Sequence, residues 1–107
     1  MIRRGNYIPK EKSTSNNLTK EDLLFLHLLK NNRQRDNYIV TESLTQKGIQ
    51  KELKCGLGLI SRILIKNEKE DYICRKKLRI EDKKRKQNVY FLTDEGLKIA
   101  KELEKKR

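Results

Sequence analysis

The spacing of apolar residues predicts helices in the first two thirds of this chain. Leucine and phenylalanine occupy most positions between Thr19 and Leu29, which predicts a helix that is apolar around much of its circumference and central to the core. Thr19 is its expected N-cap. A second helix is predicted from Gln46 to Lys54, because Ile49 and Leu53 recur four residues apart.

A third helix is predicted immediately after a glycine. Gly56 interrupts the second helix, and a new apolar period begins at Leu57 and continues to about Glu68. Its core positions are Ile60, Ile63 and Leu64. Two short helices joined in this way predict a helix-turn-helix over about residues 45–68.

Alternation with a period of two replaces the helical period after residue 70 and predicts a hairpin over about residues 72–93. In the first strand, from Tyr72 to Ile80, the inward positions are Tyr72, Cys74, Leu78 and Ile80. The outward positions are all basic: Arg75, Lys77 and Arg79. A turn is expected from Glu81 to Asn88, and a return strand from Val89 to Thr93 with Tyr90 and Leu92 inward.

The predicted fold class is α+β: a winged helix-turn-helix with a three-helix core, a β-hairpin wing and an additional C-terminal helix over about residues 94–106. Tyr38 to Val40 is expected to add a short third strand. Thr93 is the expected cap of the last helix, whose apolar stripe is Leu97, Ile99, Ala100 and Leu103. Residues 1–17 are polar and basic, and a flexible arm is expected there.

The charge balance indicates a polyanionic partner. The 107 residues carry a formal net charge of +12, which favours nucleic acid, with an anionic membrane surface as the rival. No run of 18 apolar residues or secretory apolar stretch occurs, so the expectations are no membrane span and a cytoplasmic location.

Candidate catalytic and metal-binding residues are few. Cys55 and Cys74 form no CxxC pair, and His27 is the single histidine. Two reduced thiols and a structural histidine are expected, with no metal and no cofactor. The sequence also has no glycine-rich phosphate loop or nucleophile elbow, so an enzyme is not expected.

Two segments resemble the MarR-like group of winged-helix regulators. The first is the helix-turn-helix, from Leu44-Thr45-Gln46-Lys47-Gly48-Ile49 to Ile60-Ser61-Arg62, and the second is the ending Tyr90-Phe91-Leu92-Thr93-Asp94-Glu95-Gly96. The resemblance covers about residues 18–107. It implies a homodimer that binds double-stranded DNA sequence-specifically, with the second helix of the motif in the major groove.

Candidate DNA contacts lie on two elements, the third helix from the resemblance and the hairpin from the clustering of its basic residues. Those on the third helix are Leu57, Gly58, Ser61, Arg62 and Lys66, with Arg62 as the expected guanine contact. Those on the hairpin are Arg75, Lys77, Arg79, Lys83, Lys84, Arg85 and Lys86, which are expected to contact phosphates. The chain departs from the group at Leu57, Gly58, Leu59 and Ile65, where polar residues are usual, and at Asn67, which is often apolar.

Two functions therefore follow from the sequence. The first is a sequence-specific transcriptional regulator that binds double-stranded DNA as a dimer. The alternative is a winged-helix protein–protein interaction module, or a non-specific DNA-binding protein, that uses the apolar face Leu57/Leu59/Ile65.

Overall fold

Four helices and a three-stranded sheet form residues 18–106, the part of the chain that the computed structural model describes. The elements are α1 (Lys20–Lys30), β1 (Ile39–Val40), α2 (Gln46–Leu53), α3 (Leu57–Lys69), β2 (Ile73–Ile80), β3 (Lys86–Leu92) and α4 (Asp94–Lys105). The predicted α+β winged-helix architecture is confirmed. The arm predicted for residues 1–17 lies outside the described residues.

Threonine caps begin three of the four helices, at Thr19 and Thr93 as predicted and also at Thr45. The Asp22 N–H donates to Thr19 Oγ1 over 3.0 Å, and the Thr19 N–H donates to the Asp22 carboxylate over 3.2 Å, which forms a capping box. Thr45 and Thr93 each accept a hydrogen bond of 3.1 Å from the glycine N–H three residues later. Gly56 begins α3 without a side-chain cap. Local capping chemistry therefore explains where most of the helices begin.

The sheet has the order β1-β2-β3, with β1 parallel and β3 antiparallel to β2. Its hairpin turn is shorter than predicted, because β3 begins at Lys86 and the turn covers only residues 81–85. Asp82 adopts a left-handed conformation with φ of 66°, which lets the chain reverse within a few residues. Lys86, Gln87 and Asn88 are therefore paired strand residues, and their assignment to the turn was wrong.

The second half of β3 is buried on both of its faces. Tyr90 and Leu92 are buried as predicted, but Val89 and Phe91 are buried as well. Helices α1, α2 and α4 all pack against this strand, so it loses the alternation expected of a strand with one solvated face. β3 is thus the part of the sheet that joins the hairpin to the helical core.

Gly48 allows α2 to lie against the short 3₁₀ turn Glu42–Leu44 that precedes it. A Cβ atom at this position would overlap the carbonyl oxygen of Glu42 and would lie 2.8 Å from the Cα of Ser43. The close neighbour of this glycine is therefore the turn and not another α-helix.

We expect Gly48→Ala to lower the free energy of unfolding by about 1–3 kcal/mol, because the added methyl group forces the turn and the helix apart. Gly58→Ala is the matched control, since a Cβ there meets no atom within 4 Å. Urea unfolding followed by circular dichroism measures both variants. Equal stability of Gly48→Ala and the wild type would contradict the contact.

Candidate nucleic-acid interface

The outer face of α3 is a continuous exposed stripe. Helical residues advance by about 100° each, and the buried side of α3 is formed by Ile60, Ile63, Leu64 and Asn67. The opposite side carries Gly58, Arg62, Ile65 and Lys69, all of them exposed. Arg62 lies in the middle of this stripe. Lys69 was missed by the sequence analysis, although it lies seven residues, or two helical turns, from Arg62.

The other predicted contacts of α3 lie on its two flanks. Ser61 is half-buried on the flank nearest the hairpin. Lys66 lies on the flank nearest α1, where its Nζ is 3.4 Å from Glu21 Oε2. The structure therefore places Arg62 at the centre of the outer face and Ser61 on the hairpin flank. Lys66 lies beside Arg62 on the α1 flank, where both line one shallow pocket.

A polar groove connects the start of α3 with β3. Leu57 lines it from α3, and its other walls are Thr45, Gln46, Lys47, Gln87, Asn88 and Tyr90. The Gln46 amide also donates to the Leu57 carbonyl over 3.4 Å. These amide groups and Lys47 were not among the predicted site residues, because only the packing of α2 against the hairpin brings them together.

The predicted basic face of β2 is directed toward α3. Strand pairing places Arg75 opposite Tyr90, Lys77 opposite Asn88 and Arg79 opposite Lys86, so all six share one face of the hairpin. Arg75 Nε lies 3.5 Å from Glu68 Oε2 of α3, which fixes the side that this face points to. The hairpin cations and the outer stripe of α3 thus border one surface.

The cations at the end of the hairpin are free of internal partners. Lys83, Lys84 and Arg85 are exposed in the turn. Within residues 18–106, neither these three nor Lys77, Arg79 and Lys86 form an ion pair. The opposite hairpin face holds Lys76, whose Nζ lies 5.4 Å from the centroid of the Phe91 ring, a cation–π distance. The turn also contains the exposed acids Glu81 and Asp82, so residues 79–86 keep a net positive charge of five cations against two carboxylates.

Tyr90 forms the base of the basic hairpin face. Burial raises the pKa of its hydroxyl above the ordinary value, and the Arg75 guanidinium acts in the opposite direction. The hydroxyl is therefore protonated at neutral pH and is a hydrogen-bond donor at the inner end of the groove.

Asn67 is a polar residue in the core beneath the outer stripe. It is 2% exposed, and its Nδ2 donates to Glu21 Oε2 over 2.8 Å and to the Ile63 carbonyl over 2.9 Å. The departure from an apolar residue at this position is thus explained by a hydrogen-bonded connection between α3 and α1.

The apolar face Leu57/Leu59/Ile65 predicted from the sequence is not one surface. Leu57 and Ile65 are 49% and 50% exposed. Leu59 instead packs against the hydrophobic core, because it lies about 120° around the helix from Ile65. Only Leu57 and Ile65 remain available for a partner.

The histidine and the two cysteines are each packed or hydrogen-bonded within the fold. His27 is buried and its Nε2 makes a 2.8 Å hydrogen bond with the Ser43 carbonyl. Cys55 and Cys74 are free and half-buried. Residues 18–106 contain no cluster of three or more His, Cys, Asp or Glu that could hold a metal ion. None of the helices in this region is long and apolar enough to cross a membrane.

These elements define a winged helix-turn-helix, and solved structures of that fold are similar to this chain. One is MepR, a transcription regulator of the Staphylococcus aureus multidrug efflux pump MepA, with a TM-score of 0.60 and 22% identity over 84% of this chain and 57% of MepR. MepR bound to ethidium bromide has a TM-score of 0.61 and 19% identity over 89% of this chain and 60% of that one. A variant of Lactococcus lactis ZitR has a TM-score of 0.61 and 16% identity over 92% of this chain and 57% of ZitR.

The comparisons establish the fold of this chain. The neighbours are MarR-family winged-helix regulators, so the resemblance predicted from the sequence is confirmed at the level of the fold. This chain spans only 57–60% of the length of those proteins. No protein-family model matches the sequence, and no curated protein sequence matches it.

We expect Lys86→Glu to raise the free energy of unfolding by about 0.2–1 kcal/mol, because it replaces a like-charged cross-strand pair with Arg79 by an opposite-charged one. Lys83→Glu changes the net charge equally but lies in the turn, and it is the control. Urea unfolding at low salt measures both. If the two variants were equally stable, the pairing of Arg79 with Lys86 would be incorrect.

Proposed function

We propose that this protein is a transcriptional regulator that binds double-stranded DNA, with α3 in the major groove and the basic hairpin face on the flanking phosphates. The observation that carries the proposal is the shared orientation of these two elements, which the contact between Glu68 and Arg75 fixes. A helix and a basic hairpin that border one surface can contact a groove and its backbone at the same time.

Arg62 is the proposed base contact. It is exposed at the centre of the outer stripe of α3, and it forms no ion pair within residues 18–106. A guanidinium can donate two parallel hydrogen bonds to the O6 and N7 atoms of guanine in the major groove. Ile65 lies beside Arg62 on this stripe and offers an apolar contact for a thymine methyl group.

The unpaired hairpin cations are the proposed phosphate contacts. Arg79 and Lys86 stand directly opposite each other, an arrangement of like charges that is unfavourable in the free protein. A phosphate group between or beside them removes that repulsion. Neutralisation of a DNA phosphate by these cations also releases counterions from the DNA, so binding should weaken steeply as the salt concentration increases.

A homodimer is part of the proposal. The resemblance implies it, and α4 keeps Leu97, Ile99 and Leu103 only half-buried, which leaves apolar surface for a second copy. Two copies related by a two-fold axis would bind half-sites about one helical turn, ~34–36 Å, apart.

Selection from a random-sequence duplex pool tests the whole proposal. We expect steep salt dependence and enrichment of a roughly palindromic sequence, because a symmetric dimer contacts two half-sites. Steep dependence without enrichment would instead identify a non-specific binder held by its hairpin. No binding at low salt would reject the proposed function.

Arg62→Ala tests the base contact. We expect it to weaken binding to the selected sequence by about 1–3 kcal/mol and to affect random duplex less, because the guanine contact is lost only where guanine is present. Lys101→Ala is the control, since this exposed residue lies on α4. Binding isotherms at one fixed salt concentration compare the three proteins. An equal loss on selected and random duplex would contradict the role of Arg62.

The exposure of Leu57 and Ile65 supports the second candidate, a protein-interaction module. In that case Ile65→Asp should abolish self-assembly in light scattering and leave DNA affinity intact. Loss of DNA affinity with unchanged assembly would favour the DNA-binding role of this stripe.

A further inference from the structure

Two carboxylates at the flanks of α3 each hold one basic side chain of the DNA-facing surface. On the α1 side, Lys66 Nζ lies 3.4 Å from Glu21 Oε2, and on the hairpin side Arg75 Nε lies 3.5 Å from Glu68 Oε2. We propose that Glu21 and Glu68 withhold Lys66 and Arg75 from DNA phosphates and so limit the affinity of this surface for duplex DNA. This inference rests on the proposed DNA-binding function.

Glu68 is placed to compete with a phosphate for Arg75. Its side chain is 25% exposed, whereas that of Arg75 is 52% exposed, so the carboxylate is shielded while the guanidinium lies at the surface. Tyr90, the cross-strand partner of Arg75, is buried beside it. A partly shielded ion pair is screened less by salt than one between fully exposed groups.

Glu21 is fixed in place by a second hydrogen bond. The oxygen that faces Lys66 also accepts the 2.8 Å hydrogen bond from Asn67 Nδ2. Glu21 lies in the first turn of α1, where the helix dipole favours a negative charge. The Asn67 bond therefore already orders the Glu21 carboxylate, so pairing with Lys66 costs side-chain entropy mainly at the lysine.

The surface consequently carries two kinds of cation. Arg62 and Lys69 on the outer stripe have no ion-pair partner within the described part of the chain, and Lys66 and Arg75 on the flanks each have one. Non-specific affinity grows with every phosphate that a cation neutralises, whereas base contacts do not depend on that number. A phosphate contact carries no sequence information, so withholding the flank cations lowers the affinity for any duplex.

The first experiment replaces each carboxylate by its neutral isostere. Glu21→Gln and Glu68→Gln keep an oxygen acceptor but release the cation. Glu70→Gln is the matched control, because Glu70 is exposed at the end of α3 and forms no ion pair within residues 18–106. We expect the two test variants to bind random duplex ~2–5-fold more tightly than the control variant. Their salt slope should be steeper by about 0.9, which corresponds to one more phosphate contact.

The affinity for a selected sequence should rise by about the same factor, because a phosphate contact adds to the binding of any duplex. Identical binding by Glu68→Gln, Glu21→Gln and Glu70→Gln would overturn the inference, because net charge alone would then explain the effect. A wild type without salt-dependent DNA binding would reject the proposed function, and this inference with it.

Removal of the cations gives a second test that does not depend on the glutamine variants. If Lys66 and Arg75 are withheld, Lys66→Ala and Arg75→Ala should leave the salt slope on random duplex nearly unchanged. Lys77→Ala, which removes an unpaired cation of the same hairpin face, should reduce the slope by about 0.9. An equal reduction in all three variants would overturn the inference. Circular dichroism melts confirm that each variant is folded.

Discussion

The register between β2 and β3 is the constraint on which the candidate interface depends. Ile73 pairs with Leu92 of β3 and holds this register, and Ile80 pairs with Val40, which holds β2 against β1. All four side chains are buried. A slip of one residue would turn every side chain of β2 to the other face, and it would move charged residues toward the core. The burial of a few apolar groups thus determines where the basic face points.

The same hairpin has an apolar part that is buried in the core and a charged part that disfavours folding when no partner is bound. The second half of β3 is buried on both faces, while its first residue, Lys86, faces Arg79 across the pair. Repulsion between exposed cations costs little per pair in water. The burial of Val89 through Leu92 stabilises the fold by about 25 cal/mol per Å² of apolar surface. Its total contribution is many times larger than the repulsion. The hairpin is therefore stable although these cations are unpaired, and they remain available to a polyanionic partner.

Local features were predictable from the sequence, and features that depend on packing were not. The threonine caps and the core positions of α3 follow from the chemistry of a few adjacent residues, so the helices were predicted closely. The hairpin turn was predicted too long because the strand pairing of Lys86 through Asn88 is not visible in their polar side chains. Lys69 and Leu59 could have been placed by the helical period alone. The contacts of Glu21 and Glu68 required the relative positions of α1, α3 and β2.

Asn67 connects this packing to the proposed function. A buried amide is costly unless its hydrogen bonds are made, and Asn67 makes them with Glu21 and the Ile63 carbonyl in the observed rotation of α3. Rotation of the helix by one position, about 100°, would break the bond with Glu21 and would move Arg62 from the centre of the outer face. An apolar residue at position 67 would also be buried, but it would make no hydrogen bond that selects one rotation of α3. The polar core residue therefore helps determine which α3 side chains face outward.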